Sequence, residues 1–262
     1  MDSTSVMPAL FVGHGSPMNA IAENDFTRAL SRRAALLSVK PKAVLCISAH
    51  WETQGTRVTA SPAPRTIHDF RGFPPELFAV EYPAPGSPQL AARVRRLFDE
   101  DQVEGDERWG LDHGSWSLLR HMYPAADVPV VQLSLDRDLN PEQHYALARS
   151  LRPLREEGVL ILGSGNIVHS LRFIEWREDA APYDWAVDFD AAIQSFLLAR
   201  NHAGLTHYRE LLGRSAELSV PTEEHYLPLL YVAALQRDDE PLSFFYEGMQ
   251  NASISMRSLQ IG

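Results

Sequence analysis

The chain has 262 residues, enough for one large α/β domain with a sizeable core or for two small ones. With 24 basic against 34 acidic residues the formal charge is −10, and no Lys/Arg run exceeds two residues, which argues against nucleic acid or an anionic membrane surface as partner. The single cysteine, Cys46, excludes an internal disulfide and an all-cysteine zinc site; it reads as a small buried apolar residue. No signal-peptide pattern and no membrane-length apolar stretch is seen, so the expected compartment is cytoplasmic.

Apolar runs predict strands at residues 9–13, Ala43–Ser48, Arg57–Ala60, Val128–Leu133 and Val159–Leu162. Between them, Asn24 or Asp25 starts a helix to about Leu37, Ser87-Pro88 starts one to about Phe98, and Asn140-Pro141 starts one ending near Glu157. Residues 61–88 carry seven prolines among Phe70, Phe73, Phe78 and Tyr82, and read as a long ordered loop, a wall or lid over a site. Trp109–Trp116 is a second aromatic, glycine-bounded loop, with Ser115 as cap of the helix after it. Tyr183 to about Ala203 is amphipathic, with Val187, Ala191, Phe196 and Leu198 expected inward. His207–Leu212 is another helical piece, and Thr222–Pro228 leads into a helix over Leu229–Leu235. Leu242–Tyr246 and Ser253–Ile261 alternate as closing, antiparallel strands. Strands and helices alternating from end to end, without repeat or linker, predict a single three-layer αβα domain over 1–262, of the α/β class, with a mostly parallel central sheet.

In such a sheet, ligands bind beyond the carboxyl ends of the strands. Three predicted strands deliver a histidine there: His14 after the first, His50 after the second, and His169 after Gly163-Ser164-Gly165-Asn166. Those two glycines are expected to end the strand, letting the backbone take positive φ and come close to a neighbour or ligand. Three imidazoles at one edge point to a metal. A lone histidine is more often structural, and His121, His144, His202 and His207, on predicted helices, read that way. His68 beside Asp69 is an orienting or a surface pair. His113, among Gly and Trp, could bind substrate or a cofactor oxygen, and His225, near a helix start, reads either as ligand or as surface residue. Trp51, Phe73, Trp116 and Tyr226 are candidates for an aromatic wall, core packing being the competing role. Rossmann and P-loop glycine spacings, G-x-S-x-G and H-E-x-x-H are all absent, so Ser16 and Ser164 are poor nucleophiles and the common zinc-protease reading falls away.

Seven motifs in order, HGSPMNA (His14–Ala20), ISAHWET (Ile47–Thr53), HDFRGFP (His68–Pro74), YPAPGSP (Tyr82–Pro88), GLDHGSW (Gly110–Trp116), GSGNIVH (Gly163–His169) and EHYLPLLY (Glu224–Tyr231), together resemble the DODA-type extradiol aromatic ring-opening dioxygenases, a branch of the class III extradiol enzymes. The resemblance implies a mononuclear divalent metal on His14, His50 and His225, with His169 as catalytic acid/base or as fourth ligand. It implies Fe(II) for activity, with Zn(II) often found instead, and a small catechol, DOPA or a relative, together with O2 as reactants. In that reaction His113 would steady O2 or a substrate oxygen, and Trp116 and Tyr226 would contact substrate. The wider class uses two histidines and one carboxylate; here the third position matches His225, with Glu224 as the fallback carboxylate. Two alternatives stay open on the same scaffold: a zinc-dependent hydrolase and a binding module without enzymatic activity.

Overall fold

Side chains alternate faces along a strand, and that period sorts the core of this protein into two clusters. Ala9 and Phe11, Ala43, Leu45 and Ile47, and Val159 and Ile161 enter one cluster. Their neighbours Leu10 and Val12, Val44 and Cys46, and Leu160 and Leu162 enter the other. A sheet apolar on both faces must be covered on both, which gives the three layers. The computed structural model describes residues 6–177 and 180–262.

The strands are β1 (Ala9–Gly13), β2 (Ala43–Thr53), β3 (Thr56–Thr59), β4 (Val103–Asp106), β5 (Val130–Asp136), β6 (Val159–Gly165), β7 (Leu242–Tyr246), β8 (Met249–Gln250), β9 (Ile254–Ser255) and β10 (Ser258–Ile261). Eight form one sheet in the order β4-β3-β5-β2-β6-β1-β10-β7. The central four, β5, β2, β6 and β1, are parallel. The flanks are not: β3 runs against β5, and β10 runs against both β1 and β7, as the closing strands were expected to do. One face is covered by the helices Asp25–Ala35 and His113–Met122 together with the 61–88 loop. The other carries Pro88–Arg95, Pro141–Arg149, Asp184–Leu198 and the wholly buried Leu227–Ala234.

Capping decides where the helices begin. Asn24 caps Asp25–Ala35 in a reciprocal box with Thr27, Ser87 caps Pro88–Arg95, and Asn140 caps Pro141–Arg149 with Gln143. The helix after Asn140 stops at Arg149 and a second turn covers Arg152–Glu156, because Pro153 cannot donate into a continuous helix. The cap of His113–Met122 is Asp112, not Ser115; Ser115 lies inside the helix, and its backbone N–H donates to Asp112.

Three further expectations are corrected. β2 does not stop at Ser48 but continues to Thr53 through a register shift between Ile47 and Glu52, where His50 sits. β6 includes Gly163 and Gly165, neither of which takes positive φ. The helix Asp184–Leu198 is turned relative to its expected face. Ala186, Phe189, Asp190, Ile193 and Leu197 are buried, whereas Val187, Ala191 and Leu198 are exposed. Among the described residues, no helix is long and apolar enough to cross a membrane.

Arg155 ties the chain ends together. Its buried guanidinium donates to the Met7 and Leu235 carbonyls at 2.6 and 3.0 Å and pairs with Glu240 at 2.6 and 2.8 Å.

Candidate metal centre

The site lies where β2, β6 and β1 end side by side. β1 delivers His14, whose N–H continues the parallel ladder onto the Gly165 carbonyl at 3.0 Å. β2 delivers His50 at its irregular register. His225 precedes the helix Leu227–Ala234, and its carbonyl accepts from the Asn166 N–H at 2.8 Å. Close approach, the second of the two roles expected of these glycines, is the one the structure uses. A Cβ on Gly165 would collide with the His225 carbonyl oxygen, and one on Gly163 with that of Pro228.

His14 and His225 each have Nδ1 committed to an oxygen, and this fixes their tautomers. The Ser164 hydroxyl donates to the Gly114 carbonyl at 2.5 Å, so it accepts from Nδ1–H of His14 at 3.0 Å. Nδ1–H of His225 donates to Oε1 of Glu224 at 3.0 Å. Nδ1 of His50 faces Oδ2 of Asp69 at 3.5 Å. The Nε2 lone pairs of His14 and His225 are therefore free of their own protons. Nε2 of His14 faces Nε2 of His50 at 3.2 Å, and Nε2 of His225 is buried without a partner. Such an arrangement is costly for lone pairs alone and suits a cation. Two nitrogens about 2.0–2.1 Å from one ion stand about 2.9–3.4 Å apart for angles between octahedral and tetrahedral. The donor set thus fits a divalent metal.

His113 brings its ring close to the same point, and it is His14, His50 and His113 whose ligand atoms all lie within 4.8 Å of one another, a group that could hold a metal. The ring centres distinguish the two triads. His14, His50 and His225 form a near-equilateral triangle with sides of 5.0, 5.2 and 5.0 Å. His113 lies only 3.9 Å from His50 but 5.7 Å from His14. Its Nδ1 and backbone N–H both donate to Asp69 at 2.9 Å. Burial works to raise the Asp69 carboxyl, but hydrogen bonds and charge from His113, with His50 behind it, outweigh this and hold it at about 2.

His169, Glu224 and His225 likewise bring ligand atoms within 4.8 Å of one another. Yet His169 stacks face to face on His225, with centres 3.4 Å apart and planes 7° from parallel. Burial, then the charge of His113, pushes His169 down to about 4, so it is neutral at pH 7. Its loop is held by the Ser219 carbonyl and by a bridge to Ile254.

A cavity of about 450 Å³ opens over these rings. Of the four wall candidates only Phe73 lines it. Trp51 stacks on Trp109 at 5.5 Å. Trp116 is fully buried, and its indole N–H donates to the Ile67 carbonyl at 2.8 Å, pinning the 61–88 loop from beneath. Tyr226 is also fully buried, packed on Tyr208 with its hydroxyl on the Leu205 carbonyl. Neither Trp116 nor Tyr226 reaches the cavity; their role is the competing one of core packing. The wall includes instead Arg71, which lies in the HDFRGFP motif but was not singled out, and Leu171, Ile174 and Trp176, which carried no signal in the sequence. Asp69 was also missed in its actual role, since its partner is His113 and not the adjacent His68, whose ring bonds the Val80 carbonyl at 2.9 Å.

The chain matches the family model described as the catalytic LigB subunit of aromatic ring-opening dioxygenase over residues 4–255. The chain belongs to this family. A relative in Escherichia coli K12, 4,5-DOPA dioxygenase extradiol, is 46% identical over 99% of this chain and 96% of its own length. The protein of the same name in Beta vulgaris is 40% identical over 86% of this chain and 85% of its own. A crystal structure of an uncharacterised Escherichia coli K12 protein superposes with a TM-score of 0.85 at 42% identity, covering 98% of this chain and all of that one. The family expected from the seven motifs is the one found, and its αβα layering is the one described above.

Burial, ahead of the mutual influence of the rings, pushes His14, His50 and His225 well below the ordinary imidazole range. The unfolded chain takes up these protons near pH 6.5, while the folded metal-free protein takes them up only at much lower pH. Acid therefore favours unfolding. Each ring contributes a loss of about 1.4 kcal/mol per pH unit below about 6.5. Thermal melts of chelator-stripped protein should fall steadily from pH 6.5 to 5 and be nearly flat above 7.5; a flat profile through pH 5 contradicts these directions.

Proposed function

We propose that the protein is an extradiol dioxygenase, a single catalytic domain over 1–262 that opens a catechol-type ring, DOPA or a related catechol, with O2 at one non-haem divalent metal. The observation that carries this is the cluster of the His14, His50 and His225 rings, with centres 5.0 to 5.2 Å apart beside a cavity, in a chain of the ring-opening family. His14, His50 and His225 are the ligands. Glu224 is not; it orients His225 from behind, as a carboxylate behind a metal-binding histidine commonly does. Fe(II) is the working metal, and Zn(II) suits the same neutral triad without redox activity. The names of the relatives support the substrate class, and the absence of basic runs and of a membrane-length helix among the described residues agrees with a cytoplasmic enzyme acting on small molecules.

When bound, the metal supplies Lewis acidity that eases deprotonation of the diol and a path for electrons from the ring to O2. The chain's own residues do the rest. His169, neutral and stacked beside a ligand, accepts a hydroxyl proton from the substrate and returns it as the ring opens. His113, locked by Asp69 with Nδ1 protonated, presents a bare Nε2 that accepts a hydrogen bond from a protonated substrate or oxygen-derived group. Phe73 and Ile174 keep water from the ring face. Overall, one carbon–carbon bond beside the diol breaks and both atoms of O2 enter the product, a muconic semialdehyde.

Protein reconstituted with Fe(II) without air, given a catechol and then O2, should take up one O2 per catechol and form a yellow product. Hydrolytic activity with zinc and no oxygen uptake with iron would select the zinc hydrolase instead.

A further inference from the structure

The cavity is larger than a bare catechol needs. At about 450 Å³ it falls among pockets that hold drug-sized ligands, roughly 300–1,000 Å³. Its outer wall is apolar and open to water: Leu171 is 58% and Trp176 78% exposed. Set in that wall is one guanidinium, Arg71, and no lysine. Arg71 is exposed and has no ion-pair partner among the described residues.

The backbone at Arg71 is fixed from both sides. Asp69 is held by His113, and Phe70 is wedged among Phe73, Phe78 and His113, with ring centres 5.4, 5.0 and 5.5 Å away. Gly72 follows at φ +76°, with open space where a Cβ would stand, so conformation rather than crowding calls for glycine. The turn thus sends Asp69 inward to the histidines and sets Arg71 at the cavity wall. The other formal charge lining the cavity, Glu224, is engaged by His225 and Thr222 through Oε1. On a chain of net charge −10, an anionic substrate needs such a local cation.

We propose that Arg71 selects the substrate, holding a carboxylate that the catechol carries on a short apolar arm lying along Leu171, Ile174 and Trp176. This rests on the diol binding at the three imidazoles. A guanidinium meets a carboxylate through two parallel hydrogen bonds, a directional contact.

Binding without turnover tests it. Zinc-loaded protein, which cannot pass electrons to O2, is titrated calorimetrically with dihydrocaffeate, with its methyl ester, and with phenylpropanoate, which lacks the diol. Dihydrocaffeate should bind roughly tenfold or more tightly than its ester. R71Q should erase that difference while leaving ester affinity and melting temperature unchanged, and R71K should keep part of it. Equal binding of acid and ester, or a preference that survives R71Q, overturns the proposal. If phenylpropanoate binds as tightly as dihydrocaffeate and is equally weakened by R71Q, Arg71 still reads the carboxylate, and it is the catechol reading that fails.

Discussion

Replacing His225 by alanine should leave a folded protein that no longer holds its metal. His225 is proposed as one of only three protein ligands, so its loss should lower metal affinity by more than the ~10–100-fold that loss of an orienting partner costs. Oxygen uptake should fall below detection. Glu224→Gln keeps the ring but weakens the acceptor on its Nδ1, and should sit between wild type and His225→Ala, with metal affinity down about 10–100-fold. Ser164→Ala, which removes the acceptor on His14, belongs in the same range. Equilibrium dialysis against Fe(II) or Zn(II), with circular dichroism to check the fold, measures all three. Wild-type metal affinity in His225→Ala would remove it from the ligand set and leave His113 to complete the triad.

His169→Gln separates proton transfer from metal binding. General acid–base catalysis is worth about 10²–10⁴ in rate. kcat should fall by that factor while metal content and catechol affinity stay near wild type, because the ring stacks face to face on His225 and is not proposed as a ligand. Single-turnover kinetics beside metal analysis give both readings. Loss of metal together with activity would make His169 a fourth ligand and place the base elsewhere, with His113 next in line.

Much of the layering was legible in the sequence because strands buried on both faces read as unbroken apolar runs, as β1, β2 and β6 do. His14 and His50 could be found because they end or interrupt such strands. The helix Asp184–Leu198 misled for a specific reason. Its inward face carries Asp190, paired with Arg257 at 2.6 Å, and a charge on the core side shifts the apparent apolar stripe. Asp69 and Ser164 could not be assigned because their partners lie 44 and 150 residues away. Trp116 and Tyr226 were drawn to the site by their neighbours in the chain, yet ring size gave them to the core. The exposed wall of Leu171 and Trp176 follows no local pattern at all.

A diffraction experiment on crystals of iron-loaded protein, recorded at the iron absorption edge, tests the metal centre most directly. One anomalous peak per chain is expected, about 2.0–2.3 Å from Nε2 of His14, His50 and His225, with His169 lying face-on to His225 and unbound. A peak held by His113 in place of His225, or by His169 and Glu224, would contradict the assignment of the three imidazoles as a shared ligand set.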